Sequence, residues 1–290
     1  MTMQGIDISN WQAGLTIASI DPACRFIIVK ATQGGSYVSP TMAGQADATL
    51  ASGRLLGLYH YVDGSGAAAE AQHFAETAAP YLGRAVLAID WEAGSNRRWG
   101  DTGYLRDVCR EVIARTDRTP LLYCSASALP AVRPVADALG MRLWVAQYAS
   151  DTPTGWQEHP WREGSYECLI RQYSSAGRVS GYAGRLDLDL AYMDAGEWAA
   201  LAGSTTPGTT TTTTAEEEDD MHCIIQINDD SALSYYDGVS LHTLTDPDQV
   251  TALDTVYKAC NGGKSIPMIK LGSAAAPYGT RFVQAIQAGE

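Results

Sequence analysis

Eight apolar, β-branched runs separated by alanine-rich stretches constrain this chain more than any other feature. The runs lie at 5–9, 26–32, 55–62, 85–92, 120–125, 142–149, 168–175 and 185–192. Helix-like stretches at 41–52, 67–81, 103–115 and 126–139 fall between several of them. Strands alternating with helices imply a parallel sheet. Eight strands within about 200 residues predict an α/β fold, an irregular eight-stranded β/α barrel of flattened TIM-like form. The last segments leave little room for helices, so the second half of the barrel is expected to be irregular.

In such barrels the reacting groups sit at the C-terminal ends of the strands, and polar residues gather there. The stretch "VLAIDWEAG", 86–94, is the sharpest case: an otherwise buried strand carries Asp90 and Glu92. Side chains at i and i+2 of a strand share a face, about 6–7 Å apart. Two carboxyls sheltered together raise at least one pKa, which keeps a proton available near neutrality. Asp7 and Ser9 end the first strand, Lys30 the second, Tyr59 and Tyr61 the third. Gln147 and Gln172 end the sixth and seventh, and Asp187 and Asp189 lie on the eighth. Convergence from so many strands predicts a polar cleft of carbohydrate size. Trp11, Tyr61, Trp91, Trp144 and Tyr148 are aromatic surfaces on which sugars could stack. His60 alternates with Tyr59 and Tyr61 and is expected to pack in the core. Lys30 either bridges the acids or reaches outward from a strand edge.

A threonine run, a proline and an acidic block at 203–220 cannot form a core. They divide the chain into a barrel domain at 1–202, a linker at 203–220 and a small α+β module at 221–290. In the module, "CIIQIN", "ALSYYDG" and "VSLHTL" read as strands, with a turn at Asp237-Gly238. "DPDQVTALDTVYKAC" reads as a helix capped by Asp246, with Pro247 at its first position and Gly262-Gly263 at its end. A core from so few residues is marginal, so self-association into a homo-oligomer is expected. Met221 is either an internal translation start or an ordinary methionine.

Charge and cysteine content exclude several functions. The net charge is −13, which argues against binding nucleic acid, anionic membranes or anionic wall polymers through charge alone. No apolar run is long enough to span a bilayer. The first residues lack a basic stretch followed by an apolar core, so no signal peptide is expected. Six scattered cysteines show no CxxC spacing for zinc or redox chemistry, though a Cys223–Cys260 bond is open to the module.

"GIDISNWQ", "FIIVKATQG", "GLYHYV", "AIDWE", "LWVAQY", "RQYSS" and "LDLDLAY" occur in this order over about residues 5–200. Together they resemble the glycoside hydrolase family 25 lysozymes, the muramidases common in phage endolysins. The resemblance implies cleavage of the β-1,4 bond between N-acetylmuramic acid and N-acetylglucosamine of bacterial peptidoglycan. It implies Glu92 as proton donor, Asp90 as its partner, and Asp7 and Asp187 completing the acidic centre. The family's last motif ends in asparagine where this chain has Asp189, which leaves the choice between Asp187 and Asp189 open. Tyr61, Trp11, Tyr123, Trp144, Gln147, Tyr148, Gln172 and Lys30 are the candidate substrate-binding residues. The resemblance favours attack by the sugar's own 2-acetamido carbonyl, with Asp90 orienting that amide and Tyr61 bonding it. No metal or cofactor is implied. By position the module resembles a wall-binding unit, and the enzyme is expected to wait in the host cytoplasm for release by a holin. Two other readings stay open: a non-catalytic protein binding wall carbohydrate, and a chitin-cleaving glycosidase.

Overall fold

Alternation along the apolar runs becomes two opposite faces once the strands pair. The structure, a computed structural model, describes residues 2–203, 222–237, 241–260, 265–273 and 278–287. Two units separate, Met1–Gly208 and Thr209–Glu290. The linker expected at 203–220, apart from Gly203, lies outside the described residues, as do Met221, Gly238 and Gly262-Gly263.

The first unit runs β1 (Met3–Ile8), β2 (Cys24–Gln33), β3 (Tyr37–Val38), α1 (Met42–Ala51), β4 (Leu55–Tyr61), α2 (Ala67–Ala78), β5 (Ala85–Asp90) and α3 (Thr102–Thr116). It continues with β6 (Leu121–Ser125), α4 (Leu129–Ala138), β7 (Leu143–Ala146), β8 (Ile170–Gly177), β9 (Leu186–Ala191) and α5 (Ala195–Ala202). All eight expected strands form, and β3 adds a short edge on β2. The order β1-β9-β8-β7-β6-β5-β4-β2, closed by pairing of β1 with β2, makes an eight-stranded barrel. A wholly parallel sheet is the expectation that fails. β9 runs antiparallel to both β8 and β1. Only residues 178–185 join β8 to β9, too few for the crossover a parallel pair requires.

One side-chain parity points into the barrel, where Phe26, Ile28, Val86, Ala88, Leu121, Tyr123, Trp144 and Ile170 pack together. The other parity, with Ile27, Val29, Leu56, Leu58, Leu87, Ile89, Leu122 and Val145, packs under the helices. Gly5 lies where any Cβ would strike the Phe26 ring, so β1 passes close to that ring only because position 5 has no side chain. Helix α5 escaped the sequence reading, although its signature, Asp194 followed three residues later by Glu197, is a capping box. Trp198 on α5 donates from Nε1 to the Leu56 carbonyl (3.1 Å) and sits 4.8 Å from the Phe26 ring. This closes the barrel where the parallel strands begin and leaves their C-terminal ends for chemistry.

His60 points outward, as expected, into a buried polar network. Its Nδ1 meets Thr32 Oγ1 at 2.8 Å and its Nε2 meets Glu70 Oε2 at 3.1 Å. The Glu70 carboxylate also accepts from the backbone N–H groups of Asp63, Gly64 and Ser65 and from the Tyr104 hydroxyl. It thereby fixes the loop that leaves β4 at the open end of the barrel. Burial pushes the Glu70 carboxyl up, but these donors outweigh it and hold it below the usual range. Burial holds His60 below its ordinary value against the pull of Glu70. Both groups bind protons more readily in the unfolded chain, so both contribute stability that is lost as pH falls, His60 first and Glu70 at lower pH. Glu70→Ala is expected to cost about 3 kcal/mol, the upper end of the range for leaving buried donors unpaired, and denaturant unfolding at pH 7 measures it.

The second unit contains β10 (His222–Ile227), β11 (Leu233–Asp237), β12 (Leu241–Leu244), α6 (Pro247–Cys260), β13 (Met268–Leu271) and α7 (Tyr278–Gln287). The three expected strands and the first helix form. Asp246 accepts the Asp248 N–H at the start of α6 (2.9 Å). Strand β13, parallel to β10, and helix α7 are additions. The sheet order is β12-β11-β10-β13. Its buried core is small, with Cys223, Ile225 and Tyr236 backed by Leu271 and Phe282. The side chain of Cys260 lies outside the described residues, while Cys24, Cys109, Cys124 and Cys168 are free thiols.

Candidate active site

The inward parity carries acids at the open end of the barrel. Asp7 stands directly across from Asp187 in the β1–β9 ladder, and Gly5 across from Asp189. Because β9 is antiparallel, Asp187 near its start lies at the same end of the barrel as Asp7 near the end of β1. Asp189 points into the barrel one layer deeper. On β5, Asp90 faces inward and Trp91 outward. Trp91 is buried and stacks on Trp99 (5.7 Å), so it offers no sugar platform. Glu92 lies two residues beyond the strand's last residue and still returns to the inward side. Asp7, Asp90, Glu92 and Asp187 line one pocket of about 170 Å³ with Tyr59, Tyr123, Trp144, Tyr148 and Gln172.

Gln172 organises the floor of this pocket. Its Oε1 accepts from the hydroxyls of Tyr123 (2.8 Å) and Tyr148 (2.5 Å), and its Nε2 donates to Asp7 Oδ2 (2.5 Å). Trp144 is buried and donates from Nε1 to Asp189 Oδ1 (2.8 Å). Its role is to hold Asp189 and pack edge-on against Tyr123 (4.5 Å), which leaves little of its face for a ligand. The Tyr123 hydroxyl lies 3.5 Å from Glu92 Oε1.

Burial dominates the electrostatics. It raises Glu92, against the hydrogen bond from Tyr123 and the charge of Lys30. It raises Asp90 well above the carboxylate range, helped by the negative charge of Glu92 and opposed by Lys30. It brings Asp187 up to about 6, with Glu92 adding to the effect. Asp90 Oδ1 is buried and has no hydrogen-bond partner among the described residues. The site therefore pairs two sheltered carboxyls that favour holding a proton between them, and Asp90 Oδ1 keeps acceptor capacity that the described residues leave unmet.

Other candidate residues lie elsewhere. The Tyr61 hydroxyl donates to the Gly94 carbonyl, so it is committed to the backbone, and Tyr59, two residues earlier on the same inward parity, lines the pocket instead. Tyr59 shares the strand-end signal that marked Tyr61. Gln147 receives a long contact from Arg171 Nη1 (3.4 Å), on the outward side of β8. Trp11 is 85 % exposed in a single helical turn after β1, outside the pocket. Lys30 donates to Gln33 Oε1 (2.8 Å) and lies 4.7 Å from the Tyr61 ring centre. Of its two readings, the structure favours a rim position that still influences Asp90 and Glu92.

The model of one protein family, Glycosyl hydrolases family 25, matches residues 6–182. Among curated proteins, the chain is 26 % identical over 219 residues to lysozyme M1 of Streptomyces globisporus, covering 70 % of this chain and 72 % of that protein. It is 30 % identical over 142 residues to the N,O-diacetylmuramidase of Chalaropsis sp, covering 43 % of this chain and 67 % of that one. Among solved structures, the bacterial lysozyme of Streptomyces coelicolor superposes with a TM-score of 0.57 at 25 % identity, over 70 % of this chain and 98 % of its own. The catalytic domain of an endolysin from a Listeria monocytogenes bacteriophage shares the fold, with a TM-score of 0.59 at 22 % identity over 70 % of this chain and 98 % of its own.

Proposed function

Because the chain belongs to glycosyl hydrolases family 25 and is a peptidoglycan hydrolase, we propose that its pocket acids divide the work of cutting the β-1,4 bond between N-acetylmuramic acid and N-acetylglucosamine. Glu92 is the general acid. Burial raises its pKa, which favours the protonated form, and it gives that proton to the leaving glycosidic oxygen. Asp90 is the carboxylate beside it. Both acids come from the end of one strand and approach the sugar from one side, which does not suit a nucleophile facing its acid across the bond. The nucleophile is the substrate's 2-acetamido carbonyl, a substrate-assisted variant of glycoside hydrolysis. Asp90 accepts the acetamido N–H, steers the carbonyl onto the anomeric carbon and balances the oxazolinium charge. Asp187 and the Asp7–Gln172 pair orient the sugar or the water that opens the intermediate. The observation that carries this reading is the inward pairing of Asp90 and Glu92 in a pocket where burial raises both.

Mass spectrometry of digested walls tests it. New reducing ends on N-acetylmuramic acid are expected, and new ends on N-acetylglucosamine, or cutting of chitin instead, would overturn the bond assignment. The active form needs Glu92 protonated, so activity falls as pH rises through its raised pKa. It falls on the acid side once the pair takes up its second proton. The two acids titrate as a pair, so a bell-shaped profile is expected, its limbs set by the first and second protons of that pair.

The unit at the C-terminal end is assigned to wall targeting through self-association. Its core is small, and Val256, Met268 and Ile269 are exposed. A repetitive wall rewards linked copies by avidity. Light scattering of the full chain should show an oligomer, and a chain ended after Gly203 should be monomeric, cut soluble fragments and lyse intact cells poorly. Unchanged mass and unchanged cell lysis on truncation would remove this assignment. Holin-dependent release inside a phage-infected host belongs to the same reading and rests on the motif resemblance. Lysis from within cells that needs a co-expressed holin is its test.

A further inference from the structure

Asp189 is a buried acid that the proposed reaction does not use. It is fully buried in the barrel interior. Trp144 Nε1 satisfies its Oδ1 at 2.8 Å. Its Oδ2 is buried and meets no N–H or hydroxyl donor among the described residues. The group within hydrogen-bond reach is the Asp7 carboxyl, which the β1–β9 register brings to the same inward face. Two carboxylates cannot bond each other, because each only accepts. An orphaned buried acceptor is costly, and a proton carried by Asp7 removes that cost.

We propose that Asp7 and Asp189 share one proton, Asp7 donating to Asp189 Oδ2, so that the pair carries a single negative charge and Asp189 positions Asp7 and Gln172. Every donor in the pocket floor then has an acceptor in one consistent direction. The Tyr123 and Tyr148 hydroxyls donate to Gln172 Oε1. Gln172 Nε2 donates to Asp7 Oδ2, Asp7 donates to Asp189 Oδ2, and Trp144 donates to Asp189 Oδ1. The chain of bonds fixes which way the Gln172 amide faces, and hence which hydroxyls line the pocket. The groups that bear on the pair are Asp187 on β9, Gln172 on β8, Trp144 on β7, Tyr148 after it and Tyr123 on β6. Asp90 and Glu92 from the end of β5, Tyr59 on β4 and Lys30 on β2 complete the surroundings. Burial, then the charges of Asp187 and Asp189, raise Asp7 well above the carboxylate range, in line with a proton held there.

Asp189→Asn on the full chain distinguishes a shared proton from two separate charges. The asparagine amide can donate to Asp7 in place of the shared proton, so the pair keeps one negative charge. Aspartate-selective ¹³C labelling reads the protonation states directly, with no use of activity. One carboxyl that stays in the acid form at pH 7 in the parent protein is expected to become a carboxylate in Asp189→Asn. The alkaline limb of the pH–rate profile is the second reading, and this arm rests on Glu92 as the acid. With charge conserved, the limb should stay in place. If both aspartates were ionised, removing one negative charge would lower the Glu92 pKa and move the limb down by about one unit. An unchanged number of protonated aspartates, or a downward move of the limb, overturns the proposal. Should Asp189→Asn fail to fold, the parent spectrum decides: all aspartates ionised at pH 7 overturns the shared proton. Failure of the Glu92 assignment would leave the carbon spectra unaffected, so the two ideas fall separately.

Discussion

Glu92→Gln is expected to fold normally and to lose about 10²–10⁴-fold in wall-lysing activity, the range for removal of a general acid. Glutamine keeps the volume of the side chain and its 3.5 Å approach to the Tyr123 hydroxyl, but it has no proton to give the leaving oxygen. Turbidity clearing of purified walls measures the loss, and far-UV circular dichroism with thermal unfolding checks the fold. The stability change carries its own sign. Glu92 has a raised pKa in the folded state, so the folded protein binds its proton more tightly than the unfolded chain does. Its ionisation therefore opposes folding as pH rises through the unfolded value toward the folded one. At pH 7 the variant should be at least as heat-resistant as the parent. A folded variant that lyses walls at the parental rate would move the acid to another residue.

Asp90→Asn is expected to lose about 10²–10³-fold in kcat, on the scale of removing one preorganised electrostatic partner, while its thermal stability rises. Asp90 lies in a costly position. Burial and the Glu92 charge raise it, and Oδ1 has no hydrogen-bond partner among the described residues. Asparagine removes the charge, so the fold gains what the reaction loses, as at a site where function opposes stability. The amide can no longer balance an oxazolinium. If the acetamido carbonyl is the nucleophile, a thiazoline analogue of the intermediate should inhibit the parent enzyme strongly and no sugar should remain covalently attached. A glycosyl group found on Asp90 by mass spectrometry would replace substrate assistance with a direct displacement. A drop in melting temperature for Asp90→Asn would contradict the electrostatic account of the site.

Periodicity in the chain determined a good deal without any tertiary information. Eight β-branched runs become eight barrel strands, because two-residue alternation separates one face from the other wherever a run is extended and buried. The same alternation placed Asp90 and Glu92 on one side, and with them Asp7, Gln172 and Asp187, since each lies on the inward parity at an open strand end. His60 fell on the outward parity and packs there. Tertiary structure decided whatever depends on which groups meet across the sheet. The reversal of β9 follows from a short connection, and it makes Asp7 face Asp187 and brings Asp189 beside Asp7 from deeper in the barrel. Tyr61 and Tyr59 are equivalent by parity, and only the loop after β5, which offers the Gly94 carbonyl, takes one hydroxyl out of the pocket. Trp144 read as a sugar platform because exposure cannot be seen along a chain; in the barrel its ring is enclosed and its N–H holds Asp189. Local alternation is a property of neighbours in sequence, whereas hydrogen-bond partners, burial and charge come from residues far apart in the chain, and the barrel's closure alone sets them.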